Sequence, residues 1–321
     1  MSSIMTNVSA IAALKTLRTI SSEMEDTQNR VSTGYRVADA ADNAAYWSIA
    51  TTMKSDKMAM STVKDALGLA AAKTDTAYTG LNSAIEVMNN IKSKLVAARE
   101  PGVDKDKIDA ELTELKNQLV SISESASFSG QNWLYNADTS ANSSVEMVGS
   151  FNRDDQGNVS VGVLSFDTAT STLIDTEDNT LGLLTKDTTV TVPVGTGTTT
   201  ATYYLLDASS TTTAAVGTEI KLSSSTTSQD LDGMISAVET MLQSMTDVAA
   251  TLGATNSRID MQNTFVADLM DTIDKGVGRL VDADMNEEST KLKALQTQQQ
   301  LGIQSLSIAN SNSENILQLF R

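Results

Sequence analysis

The sequence predicts a mainly α fold. Long antiparallel helices from both chain ends form a coiled coil or bundle, and a small β-rich outer domain is inserted in the middle. Three observations lead there. From Leu231 to Leu280 every seventh residue is large and apolar: Leu231, Val238, Met245, Leu252, Ile259, Val266, Ile273 and Leu280. A second seven-residue series runs Val63, Ala70, Ala77, Ala84, Ile91 and Ala98, with Leu67, Thr74, Leu81, Met88 and Leu95 interleaved. Residues seven apart share one helix face, so each series is an apolar seam and the two are partners for one another. Between them, residues 166 to 228 hold 20 Thr, which suits strands and weakens helix interiors.

The elements follow in order. Residues 1 to 33 read as a helix, with Ala10, Ala13, Leu17, Ile20, Met24, Thr27 and Val31 at spacings of three and four. Thr33-Gly34 breaks it. Residues 35 to 57 are alanine-rich and carry Tyr46 and Trp47, an aromatic pair expected to fill the bundle or an interface between subunits. The helix of the Val63 series stops before Pro101-Gly102. Asp104 is placed to cap the next helix, whose stripe is Ile108, Leu112, Leu115, Leu119 and Ile122.

Past residue 140 the period changes to two. Strands are predicted near 145–153 and 158–166 around the turn Asp154-Asp155-Gln156-Gly157-Asn158. Val159, Val161 and Val163, and again Val190, Val192 and Val194, alternate with polar residues and read as half-buried strands.

Residues 281 to 321 return to helix, with Leu292, Leu295, Leu301, Ile303, Leu306, Ile308, Ile316 and Leu317 pointing in several directions. A helix apolar on more than one side must be buried on more than one side. At ~1.5 Å per residue this segment extends roughly 60 Å, more than one partner from residues 1 to 33 covers. The remaining surface calls for other subunits, with the termini ordering on assembly. Leu14, Leu17, Ile20, Leu306, Ile316 and Leu317 are the expected inner core of that assembly.

Composition limits the chemistry. With no Cys and no His, the chain has no disulfide, no thiol catalysis and no imidazole for acid–base work or metal binding. No enzyme activity, cofactor or metal site is expected. The acidic turns Asp154-Asp155 and Asp175, Glu177, Asp178 do not match an EF-hand loop. A net charge of −17 argues against nucleic acid and anionic membranes as partners. No run of 18 apolar residues exists, and Met1 to Ala13 lacks the pattern of a cleaved secretory signal.

Two motifs bear on family. Arg30-Val-Ser-Thr-Gly34-Tyr-Arg36-Val-Ala-Asp39-Ala-Ala-Asp42-Asn43-Ala-Ala closely resembles the N-terminal signature of bacterial flagellins. Gln298 to Arg321, with Leu306, Ala309-Asn310 and Ile316-Leu317-Gln-Leu319, resembles the matching tail. Many flagellins have Gly after the double Ala; Tyr46-Trp47 in its place resembles the flagellins of rhizobia, some of which build rigid complex filaments.

The resemblance implies an extracellular filament subunit for swimming motility. It also implies three layers: inner-tube helices from 1–40 and 281–321, a helical bundle with a β-hairpin from 41–155 and 229–280, and a Thr-rich outer domain from 156–228. Arg30, Gly34, Arg36, Asp39, Asp42 and Asn43 would form the joint between the first two, with ion pairs among the charged members. Implied partners are further copies, sister flagellins, the flagellar export apparatus and its chaperone, the filament cap and hook–filament junction proteins. The rival readings are a hook–filament junction protein, a coiled-coil adaptor unrelated to flagella, and a carboxylate-only hydrolase or cation binder using Asp154 and Asp155 or Asp175, Glu177 and Asp178.

Overall fold

A computed structural model describes residues 6–137, 144–194, 197–207 and 214–318. Helix α1 spans Val8–Thr33, α2 Ala44–Ala97 and α3 Lys105–Ser125. Short strands β1 (Ser127–Phe128), β2 (Gln131–Asn132) and β3 (Tyr135–Asn136) follow, then the longer β4 (Ser144–Arg153) and β5 (Val159–Asp167). After these come β6 (Ile174–Asp175), β7 (Thr188–Val194), β8 (Gly197–Tyr204) and β9 (Thr218–Glu219). Helices α4 (Ser228–Val281) and α5 (Met285–Gln318) complete the chain. Helices make up 64% of the described residues, so the mainly α class holds. The described helices include none long and apolar enough to cross a membrane.

The chain divides into two compact units. Unit 1 takes residues 1–58 and 269–321, and unit 2 takes 59–268.

Unit 2 is built on the two seams. Every member of the Val63 and Leu67 series is buried, as are Leu231, Val238, Met245, Leu252, Ile259 and Val266. Lys92 pairs with Glu239 at 2.5 Å and Arg99 with Asp232, which fixes α2 and α4 as antiparallel here. Helix α3 buries Ile108, Leu112 and Leu119 and is tied to α2 by the Lys94–Glu111 ion pair. Asp104 occupies its N-cap position without a side-chain bond to the helix; the carboxylate meets Lys107 at 3.2 Å instead.

Strands β4 and β5 form the antiparallel hairpin, joined by a turn in which Asp154 Oδ1 accepts the Gln156 and Asn158 N–H groups. The strands are where the alternation puts them, but their faces are reversed. Met147, Leu164 and Phe166 are buried, whereas Val159, Val161 and Val163 face outward. The reason is Trp133, whose ring stacks on Phe166 with centroids 4.9 Å apart and so claims the even-numbered face of β5. The domain boundary drawn at residue 155 falls inside this hairpin's turn.

Strands β7, β8 and β9 form a three-stranded sheet with Val190, Val192 and Tyr203 on its buried face. The side chain of Val194 lies outside the described residues. Gly233 of α4 receives the Tyr203 ring so closely that a Cβ there would sit 2.6 Å from the phenol oxygen. A glycine inside a helix costs about 1 kcal/mol against Ala, a cost tolerated here because the ring needs the space.

Candidate assembly surface

Unit 1 holds α1, the start of α2, the end of α4, and α5. Its helices α1 and α5 lie antiparallel. Asn7 Nδ2 donates to the Ala309 carbonyl at 2.9 Å, and Arg30 meets Glu288 at 3.3 Å near the opposite end. Asn7 also caps α1 by accepting the Ala10 N–H. The small core of unit 1 joins Val37, Ala50, Val277 and Val281, with Met53, Ile273 and Leu280 packed against it.

The signature residues hold the chain's reversal between α1 and α2. Gly34 ends α1 at φ +75°, a left-handed conformation that suits glycine. Its carbonyl accepts the Ala283 N–H, and the Arg36 and Val37 N–H groups both reach the Val281 carbonyl. Arg36 Nη2 donates to the carbonyl of Leu280 at 3.0 Å. Asp42 Oδ2 accepts the N–H groups of Ala38 and Asp39, and Asn43 Oδ1 accepts that of Tyr46 to start α2.

These residues work mainly through backbone groups. Arg30 makes an ion pair, but with Glu288, a residue the signature does not contain. Glu288 is buried, and among the described residues its Oε2 has no hydrogen-bond partner and Arg30 is its one ion-pair partner. The Asp39 carboxylate has no bonding partner among the described residues.

The same carboxylates give a pH prediction. Backbone N–H groups of Asp39 and Ala38 hold the Asp42 carboxyl below its usual range, and the Thr227 hydroxyl and N–H do the same for Asp230 in unit 2. Folded values below the unfolded ~3.9 mean that this stabilisation is complete above about pH 4 and is lost as pH falls through the folded values. Thermal melts by circular dichroism from pH 6 down to 2.5 should show that loss. Asp42→Ala should melt lower at pH 6 and lose less on acidification.

The outward faces of α1 and α5 are apolar and uncovered. Ile11 is 60% exposed and Ile308 62%, and Val8, Leu14, Leu301 and Ile303 are exposed with them. Leu17, Ile20 and Leu306 are half-buried, and Thr27 is the one buried residue in α1. The side chains of Ile316 and Leu317 lie outside the described residues. Tyr46 and Trp47 fill no core within the chain: they are 42% and 38% exposed. They precede buried Ala50 by four and three residues, so they extend its stripe one turn past the last cover.

Two family models match the chain. The family model described as the bacterial flagellin N-terminal helical region matches residues 4–139. The model described as the bacterial flagellin C-terminal helical region matches residues 235–320.

The chain belongs to the bacterial flagellin family.

It is 61% identical to Flagellin C of Rhizobium meliloti strain 1021 over 325 residues, covering the whole of both chains. Flagellin A of the same strain is 49% identical over 396 residues, and the flagellin of Brucella melitensis 44% over 322, each again with full coverage of both chains. The rhizobial resemblance drawn from Tyr46-Trp47 agrees with these relatives. As a flagellin, the chain is a structural subunit that polymerises with its own kind into the flagellar filament. Nothing in the matches favours a junction protein or a coiled-coil adaptor.

Proposed function

We propose that the outward apolar faces of α1 and α5 are the surface through which flagellin copies pack into the inner tube of the filament. The observation that carries this reading is a contrast in burial. Every apolar seam residue of unit 2 is covered by its own chain, whereas Val8, Ile11 and Leu14 of α1 and Leu301, Ile303 and Ile308 of α5 remain exposed. Exposed apolar stripes on two adjacent helices are a liability for a monomer and an interface in a polymer. On this reading residues 1–40 and 281–321 line the inner tube, 41–155 and 229–280 form the layer around it, and 156–228 lie outermost. Tyr46 and Trp47 then continue the interface, since aromatic side chains are favoured anchors between subunits.

The chain is non-enzymatic on this view and reaches the cell exterior through the flagellar export apparatus with its chaperone, without a cleaved signal. It adds beneath the filament cap, above the hook–filament junction proteins, and co-assembles with sister flagellins. Electron microscopy of purified protein after seeding tests the core of the proposal. The intact chain should form long filaments, and a version reduced to residues 41–280 should stay monomeric. Filaments from the reduced chain would place the assembly surface elsewhere.

A further inference from the structure

The face of α1 turned away from α5 carries a charge order with no use inside the chain. Helix geometry of ~3.6 residues per turn puts Val8, Ile11, Lys15, Arg18, Glu25 and Asp26 on one stripe, opposite the side that holds Leu17, Met24 and Thr27. All six stripe residues are exposed. The stripe reads apolar, then basic, then acidic. Arg18 and Glu25 are seven residues apart and Lys15 and Asp26 eleven, so the opposite charges are separated by roughly 10–16 Å along the axis. Neither the basic nor the acidic pair forms an ion pair with any described residue.

The setting sharpens the asymmetry. In a chain of net charge −17, residues 6–22 and 297–311 contain Lys15 and Arg18 and no acidic residue at all. Two cations thus sit on a stretch that holds no carboxylate, and the nearest one along α1, Glu23, lies on a different face of the helix. The acidic pair that would match them sits two to three turns further along the same helix.

We infer that Lys15 and Arg18 of one copy dock against Glu25 and Asp26 of a neighbouring copy, so that adjacent α1 helices in the polymer are displaced along their axes by about two to three turns. This rests on the proposed polymer of α1 and α5 and adds what that proposal leaves open, the stagger between neighbours. The contact is heterologous: each copy offers its basic pair to one neighbour and its acidic pair to another, the arrangement that yields an open filament. Apolar burial supplies attraction at any displacement, whereas complementary charge selects one of them.

Paired charge reversals test it on the full-length chain. Lys15→Glu/Arg18→Glu places acid against acid, and Glu25→Lys/Asp26→Lys places base against base. Each variant alone should seed at least about tenfold more poorly than the unmodified chain, with unchanged circular dichroism of the monomer. An equimolar mixture of the two should recover filaments containing both, because each then meets its opposite. Raising salt from about 0.1 M to 1 M, which shortens the screening length from ~10 Å to ~3 Å, should relieve the defect of each single variant. Normal seeding by either variant alone, or a mixture that stays inert, would overturn the inference while leaving the apolar interface standing. An unmodified chain that never polymerises would bring down the polymer interface and this stagger together.

Discussion

Ile308→Asp and Ile303→Asp each leave the chain a soluble monomer under seeding. Both side chains are more than half exposed in the isolated chain, so each substitution should change monomer stability by no more than about 0.5 kcal/mol. In the filament the same position loses about 1.5–3 kcal/mol of apolar burial, and the carboxylate must also be desolvated at a further cost of several kcal/mol. That penalty recurs at every subunit, so it acts on the whole lattice at once. Sedimentation and electron microscopy should therefore find monomer where the unmodified chain gives filaments, while the thermal melt stays in place. Leu306→Asp gives a useful contrast. Leu306 is half-buried and lies one turn past Gly302, the α5 position that faces Leu17 of α1, so this variant should fail to polymerise and also loosen α1 from α5. Normal filaments from Ile308→Asp would remove α5's outward face from the inner tube.

The second large effect belongs to unit 2. Leu252→Ala should lower its stability by about 2–5 kcal/mol, because Leu252 is fully buried in the α2–α4 seam and neighbouring seam residues cannot close the cavity. For a unit of this size each kcal/mol shifts the melting midpoint by about 2–4 °C, so a fall of about 4–20 °C is expected. Met261→Ala on the same helix is the control, since Met261 is largely exposed and its loss should barely register. Equal effects from the two would mean that the seam is not the core of unit 2.

How far the sequence reveals this molecule depends on the period of the signal. The seams repeat every seven residues over many turns, and the structure buries their members from Val63 to Ala98 and from Leu231 to Val266, including Thr74, whose hydroxyl bonds the Ala70 carbonyl, while Ile273 and Leu280 are half-buried in unit 1. The strands of the hairpin are legible to within a residue, but not which face is buried. A period of two fixes alternation and leaves the choice of face to long-range packing, here the Trp133 ring on Phe166. The joint is legible as a motif and not as a mechanism. Charged residues in sequence suggest ion pairs, yet Arg36 and Asp42 bind backbone groups, and the partner of Arg30 lies 258 positions away. The exposed state of Tyr46 and Trp47 is invisible for a similar reason. Their stripe is apolar like a core stripe, and where cover ends is decided by elements remote in sequence.

The pairing of α1 with α5 has a consequence in time. The Asn7–Ala309 contact joins residues 302 positions apart, while Asp154 and Asn158 close their turn across four. Contacts between distant positions form slowly, because their loops must close before any contact rewards the closure. A chain that emerges N-terminus first therefore completes its hairpins while α1 still has no partner. The last segment to arrive is the one α1 needs, so the subunit stays without its inner helix pair until the whole chain is present. On the proposed export route, slow closure of the termini would act as a built-in delay, keeping the adhesive helices apart until the last residues arrive.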